Sequence, residues 1–164
     1  TSRATKELIR EWGGEPVRTK AGRVYIGALL REIGADFGGE TTGHLFFSEN
    51  YDADSGLISA LVAIQAVSES GKKLSELVDE YRRYILPHEI NFQVEDKTGV
   101  LEKLKKLFIN YEQDELDGLT VEMPNSWFNL RASNTEPVMR LNIEASDQSE
   151  LDKILAIIKD TVQS

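Results

Sequence analysis

Apolar positions along this 164-residue chain recur with two periods, and the change between them divides it. Ala4, Leu8, Ile9 and Trp12 fall at helical spacing behind Thr1-Ser2, and Gly13-Gly14 supplies a stop, so a short helix is predicted over about 3–12. Residues 16–20 read as a short strand. A second helix follows Gly22, carrying Val24, Ile26, Leu29, Leu30 and Ile33, and stops at Gly34. Residues 35–40 and 45–47 read as two strand pieces joined through glycines. Residues 57–67 are apolar on most sides, which predicts a central packing helix, with Asp52 and Asp54 as acidic residues at its start. Leu74, Leu77, Val78, Tyr81 and Ile85 add another helical stripe.

After Leu86-Pro87 the strand period takes over. Ile90, Phe92 and Val94 alternate with polar neighbours, Leu101, Leu104, Phe108 and Tyr111 form an amphipathic helix, and Asp114 to Gly118 is a polar connection. Residues 119–123 and 127–130 are strands around the turn Pro124-Asn125-Ser126. In the next strand Met139, Leu141 and Ile143 face inward, while Val138, Arg140, Asn142 and Glu144 face outward. A helix from about Ser149 closes the chain. The expected architecture is an α/β domain over 1–86, its sheet flanked by helices and lacking a first strand, followed by an α+β domain over 87–164. The second domain has a mainly antiparallel sheet with two helices on one face.

Charge narrows the chemistry. A formal net charge of −9 and a pI near 4.8 argue against general binding to nucleic acid or anionic membranes, so an anionic ligand needs a local cationic cluster. The absence of cysteine removes disulfides and thiolate metal sites and is consistent with a reducing cytoplasm, the localisation expected here. No apolar run reaches the length of a membrane span.

Such a cluster lies between the strands ending at Leu130 and beginning at Val138. Arg131, Ser133, Asn134 and Thr135 place a guanidinium, two hydroxyls and an amide within five residues, with Pro137 fixing the exit. The arginine fork matches phosphate oxygens two at a time, and the short polar side chains add neutral donors. Ser, Asn and Thr also favour turns by bonding to their own backbone, so plain turn chemistry is the competing reading. Upstream, residues 39–44 read Gly-Glu-Thr-Thr-Gly-His. Glu40, Thr42 and His44 offer an acceptor, a hydroxyl and an imidazole suited to sugar hydroxyls, against the alternative of a glycine-rich turn. Lys20 and Arg23 flank a further glycine segment and are either local positive charge for a ligand or solvated helix-end residues.

The pattern Arg-x-Ser-x-Thr-Glu-Pro-x-x-Arg-x-x-x-Glu-Ala from Arg131 to Ala145 resembles the phosphate-binding loop of the α-D-phosphohexomutases. The 39–44 stretch resembles that family's Gly-Glu-x-Ser-Gly-His sugar loop, with Thr42 for the usual Ser. Residues 20–23 resemble its Lys-x-Gly-His segment, with Arg23 for the usual His. The likeness covers essentially the whole chain and corresponds to the C-terminal half of a phosphomannomutase/phosphoglucomutase-type protein: most of its third domain plus its fourth. Asn134 is more like that branch than the phosphoglucosamine branch.

The resemblance implies a parent protein that interconverts hexose 1-phosphates and 6-phosphates through a phosphoserine, a hexose 1,6-bisphosphate and Mg2+. It assigns sugar binding to Glu40, Thr42, His44, Lys20 and Arg23, with a possible assisting role in proton transfer for His44. Phosphate binding falls to Arg131, Ser133, Asn134, Thr135 and Arg140. Neither the family's Ser-His-Asn-Pro nucleophile segment nor its Asp-x-Asp-x-Asp metal loop occurs in the chain, so no catalytic or metal residue is expected in it. Activity is expected to need the family's N-terminal domains as partners. A missing strand would also leave an exposed edge open to self-association. A stand-alone phosphosugar-binding module and a purely structural domain are the alternatives from other classes.

Overall fold

A computed structural model describes residues 1–133 and 137–163. They form two compact units, one of Thr1 with Thr5–Arg82 and one of Ser2–Ala4 with the chain from Arg83 onward.

In the first unit, helix α1 (Arg3–Glu11) from Thr5 onward and helix α2 (Arg23–Ile33) precede an antiparallel sheet of three short strands, β1 (Phe37–Gly39), β2 (Leu45–Phe47) and β3 (Ala53–Asp54). Helices α3 (Gly56–Ser70) and α4 (Leu74–Tyr81) follow. Residues 16–20 form no strand. The small core joins Ile26 and Leu30 of α2 to Phe46 of β2. Gly38 permits this contact, because a Cβ there would come within 2.6 Å of Leu30 Cδ1 and 2.9 Å of Ile26 Cγ2. Gly34 ends α2 in the left-handed conformation, returning its N–H to the Leu30 carbonyl.

The apolar run of 57–67 does form a helix, but none of its residues is buried. Leu57 and Ile64 are 72% and 65% exposed. The expected central packing element therefore has its apolar sides uncovered, because three strands of two or three residues offer little surface to bury them. Its start also differs from expectation. Ser55 is the N-cap, accepting a hydrogen bond from the Ile58 N–H at 3.2 Å, and the carboxylate of Asp54 is engaged elsewhere.

The second unit is a five-stranded antiparallel sheet in the order β4-β8-β7-β6-β5, made by β4 (Ile90–Gln93), β5 (Glu112–Asp114), β6 (Leu119–Met123), β7 (Ser126–Ala132) and β8 (Val138–Ala145). Helices α5 (Lys97–Leu107) and α6 (Gln148–Gln163) cover one face. Val100, Leu104, Leu151, Ile154 and Ile158 pack there on Leu119, Val121, Phe128, Leu130, Leu141 and Ile143. The helix expected to run to Tyr111 stops at Leu107, where Gln113 Nε2 donates to the carbonyls of Phe108 (2.7 Å) and Lys105 (3.1 Å). Gln113 belongs to β5, a strand with no apolar alternation to announce it.

Register sets what the other face presents. Leu130 pairs with Leu141 and Phe128 with Ile143 on the helix side, so Arg131 opposite Arg140, Asn129 opposite Asn142 and Trp127 opposite Glu144 share the polar side. Glu144, expected to face outward, is 1% exposed. It accepts the backbone N–H of Arg3 at 3.0 Å, while the Arg3 guanidinium bonds to the Glu122 carboxylate (2.6 Å) and to the carbonyls of Met123, Pro124 and Ser126. The Arg3 guanidinium thus pairs with Glu122, and of the two buried Glu144 oxygens the Arg3 N–H satisfies one while Oε2 has no hydrogen-bond partner among the described residues.

Candidate functional site

Each unit carries one of the two candidate loops. In the first, β1 and β2 form a hairpin whose turn is closed by hydrogen bonds from the Glu40 N–H to the His44 carbonyl and from the Gly43 N–H to the Glu40 carbonyl, both 3.1 Å. The turn geometry read as the alternative is thus present, and it carries the candidate side chains. Glu40 and His44 are half-buried at its base and Thr42 is exposed at its tip. Lys20 lies exposed on the irregular segment before α2, and Arg23 is the first residue of that helix.

Two of these five residues converge on a third that the sequence reading placed at a helix start. His44 Nδ1 lies 2.6 Å from Asp54 Oδ2, and Arg23 Nη1 lies 3.8 Å from the same oxygen. The pairing of β2 with β3 puts Phe46 opposite Asp54, so His44, two residues back on the same face, is its diagonal neighbour. The hydrogen bond from His44, with smaller help from nearby positive charge, holds the Asp54 carboxyl below the usual carboxylate range against desolvation, the main opposing effect.

In the second unit, Arg131 and Arg140 stand directly opposite each other at the loop end of the β7–β8 hairpin. Ser133 follows β7, its N–H donating to the Val138 carbonyl at 2.9 Å. Asn134 and Thr135 lie outside the described residues. Like charges directly across a ladder destabilise it, and Glu89 offsets this. One carboxylate oxygen lies 3.5 Å from Arg131 Nη2 and the other 3.4 Å from Arg140 Nη1, while Asn142 Nδ2 donates to Glu89 at 3.2 Å. Asp117 adds a second acid 4.0 Å from Arg131 Nε. These ion pairs are longer than the 2.7–2.9 Å or so of a tight charge-assisted bond.

Gly118, in the β5–β6 connection, seats the backbone of Arg131. Its φ is +73°, and a Cβ there would lie 2.5 Å from the Leu130 carbonyl and 2.6 Å from Arg131 Cβ. Glu89 and Gly118 escaped the sequence reading, because their relation to Arg131 follows from strand pairing rather than from any local motif.

Among the described residues no group of three His, Asp or Glu side chains gathers in a way that could hold a metal ion. No described helix is long and apolar enough to cross a membrane. A cavity of about 300 Å3 lined by Leu107, Phe108, Tyr111 and Ile154 lies on the helical side of the second unit and includes none of the candidate residues.

Comparison with known proteins agrees with the motifs. Residues 1–84 match the model of phosphoglucomutase/phosphomannomutase alpha/beta/alpha domain III, and residues 89–161 match that of the phosphoglucomutase/phosphomannomutase C-terminal domain. A phosphomannomutase of Methanocaldococcus jannaschii is 38% identical over 161 residues, covering 98% of this chain and 36% of that protein. A protein of Methanopyrus kandleri named "Probable phosphoglucosamine mutase" is 34% identical, covering 96% of this chain and 36% of its own length. The crystal structure of a phosphoglucomutase/phosphomannomutase family protein from Burkholderia thailandensis superposes with a TM-score of 0.83 at 29% identity, covering 98% of this chain and 35% of that one. The chain spans about a third of the length of these relatives. With both halves matched in order, the chain belongs to the phosphoglucomutase/phosphomannomutase family, as its domain III and C-terminal domain.

Proposed function

We propose that this chain supplies the sugar-reading and phosphate-holding parts of a phosphohexomutase that interconverts hexose 1-phosphates and 6-phosphates. The observation that carries the reading is the pairing of Arg131 with Arg140 at the mouth of the 131–137 loop, on a sheet face kept polar by register. Two guanidiniums at adjacent strand positions supply the planar donors a phosphate dianion needs, in a chain whose overall charge repels anions. Ser133 adds a neutral donor, and Asn134 and Thr135 complete the motif in sequence. Glu40, Thr42 and His44, with Lys20 and Arg23, are assigned to the sugar.

Phosphoryl transfer in this reading passes through a phosphoserine and a hexose 1,6-bisphosphate, with Mg2+ supplied by parts of the parent protein outside these residues. The chain's own residues bind and orient, and positioning alone leaves the nucleophile and the charge stabilisation of the transferring phosphoryl group unsupplied. Incubation with glucose 1-phosphate, activator bisphosphate and Mg2+ in a coupled assay is accordingly expected to give no glucose 6-phosphate above background. Binding is the positive test. Calorimetric titration with glucose 1-phosphate should show saturable binding, and Arg131→Ala should weaken it at least tenfold, the loss of one or two charge-assisted bonds. Equal affinity of the two proteins would refute the assignment. The Methanopyrus kandleri relative's name raises one variant of the reading, an amino sugar as substrate, against which Asn134 and the phosphomannomutase relative weigh. Glucosamine 1-phosphate binding more tightly than glucose 1-phosphate would select it.

A further inference from the structure

We infer that Asp54 is a positioning residue: it holds His44 as the Nδ1–H tautomer, so that Nε2 is the ring nitrogen offered to a sugar hydroxyl as a hydrogen-bond acceptor. The sugar half of this inference rests on the function proposed above; the tautomer half does not.

The geometry fixes the proton. Asp54 Oδ2 is an acceptor 2.6 Å from Nδ1, so the neutral imidazole carries its hydrogen on that nitrogen and leaves a lone pair on Nε2. A depressed Asp54 titration keeps the carboxylate ionised, and therefore accepting, throughout the range where the imidazole is neutral. The His44 side chain is 42% exposed, and with Nδ1 engaged, Nε2 is the nitrogen available to a ligand.

Arg23 reaches Asp54 from the start of α2, and the rest of the 39–44 turn brings in Glu40 as its other ionisable group. Arg23 lies at 3.8 Å and is 65% exposed, so it adds charge without displacing the imidazole. Ser55 fills the capping position of α3, which frees the Asp54 carboxylate from that role. Second partners that orient a ring in this way lock the nitrogen presented to the ligand.

Long-range 1H–15N correlation spectra of His44 in the intact chain, at a pH where the imidazole is neutral, test this directly. The expected result is a protonated Nδ1 and an unprotonated Nε2 in the unaltered protein. Asp54→Ala should revert the ring toward the Nε2–H form that neutral histidine prefers in water. An Nε2–H ring in the unaltered protein would overturn the inference, and that spectrum needs no variant to fold. Adding glucose 1-phosphate should then shift the Nε2 resonance, and Asp54→Ala should weaken binding about fivefold, the scale of one hydrogen bond. An Nδ1–H ring whose Nε2 ignores a saturating concentration of the sugar phosphate would sink the sugar half. Loss of that response together with loss of binding would instead count against the proposed function, since Arg131→Ala would then also have no effect.

Discussion

The two units were built from equally apolar sequence and ended with unequal cores. In the second, five strands present one continuous apolar face that α5 and α6 cover, and Leu104, Phe128, Leu130, Leu141 and Ile158 are fully buried. In the first, three buried side chains, Ile26, Leu30 and Phe46, hold α2 to a sheet of two- and three-residue strands, and α3 stays uncovered. Periodicity determines which side of a helix seeks burial. Whether it finds burial depends on how much surface the neighbouring elements provide.

This contrast is open to breaking. Leu104→Ala should cost the second unit about 2–5 kcal/mol, the usual penalty for a cavity under a sheet. Ile64→Ala on α3 should change stability by less than about 0.5 kcal/mol, as an exposed substitution does. Urea melts monitored at Trp127 and Trp12, one in each unit, would separate the two, and comparable losses would show that α3 is covered in solution. A smaller effect is expected at Gly118. Alanine there meets both the positive φ and the Arg131 backbone, for a loss of about 1–3 kcal/mol, accompanied by weaker binding of glucose 1-phosphate. Tolerance of alanine with unchanged binding would remove Gly118 from the support of the site. A smaller loss than at Gly118 is expected for Glu89→Gln, which leaves Arg131 and Arg140 facing each other without their shared anion. A loss of about 0.5–1 kcal/mol at low salt, shrinking at 1 M salt, is expected for this partly exposed cluster.

Legibility followed locality. The alternation of Met139, Leu141 and Ile143 announced β8 and its polar side, and a dense local motif announced the loop after Arg131. What sequence reasoning missed depends on partners distant along the chain. Glu89 meets Arg140 because Ile90 pairs with Leu141, a register no local pattern encodes. Asp54 meets His44 through the β2–β3 pairing, whereas its position before an apolar run resembled a helix cap. Glu144 obeyed the strand alternation yet became buried, because Arg3, from the start of the chain, closes over it. β5 lacks apolar residues in Glu112–Asp114 and is defined only by its pairing with β6.

The two units also hold their candidate side chains differently. Arg131 and Arg140 project from the strands of a well-packed sheet and are balanced by acids, while Glu40 and Thr42 ride on a hairpin turn and His44 is steadied by one carboxylate. On the proposed reading, the residues assigned to phosphate therefore rest on the better-packed unit. Crystals of the chain soaked with tungstate, a tetrahedral dianion with a strong anomalous signal, test that directly. The account predicts a peak within hydrogen-bond distance of the Arg131 guanidinium and the Ser133 hydroxyl. Saturating tungstate with no peak there, and Arg131 still paired to Glu89, would contradict it.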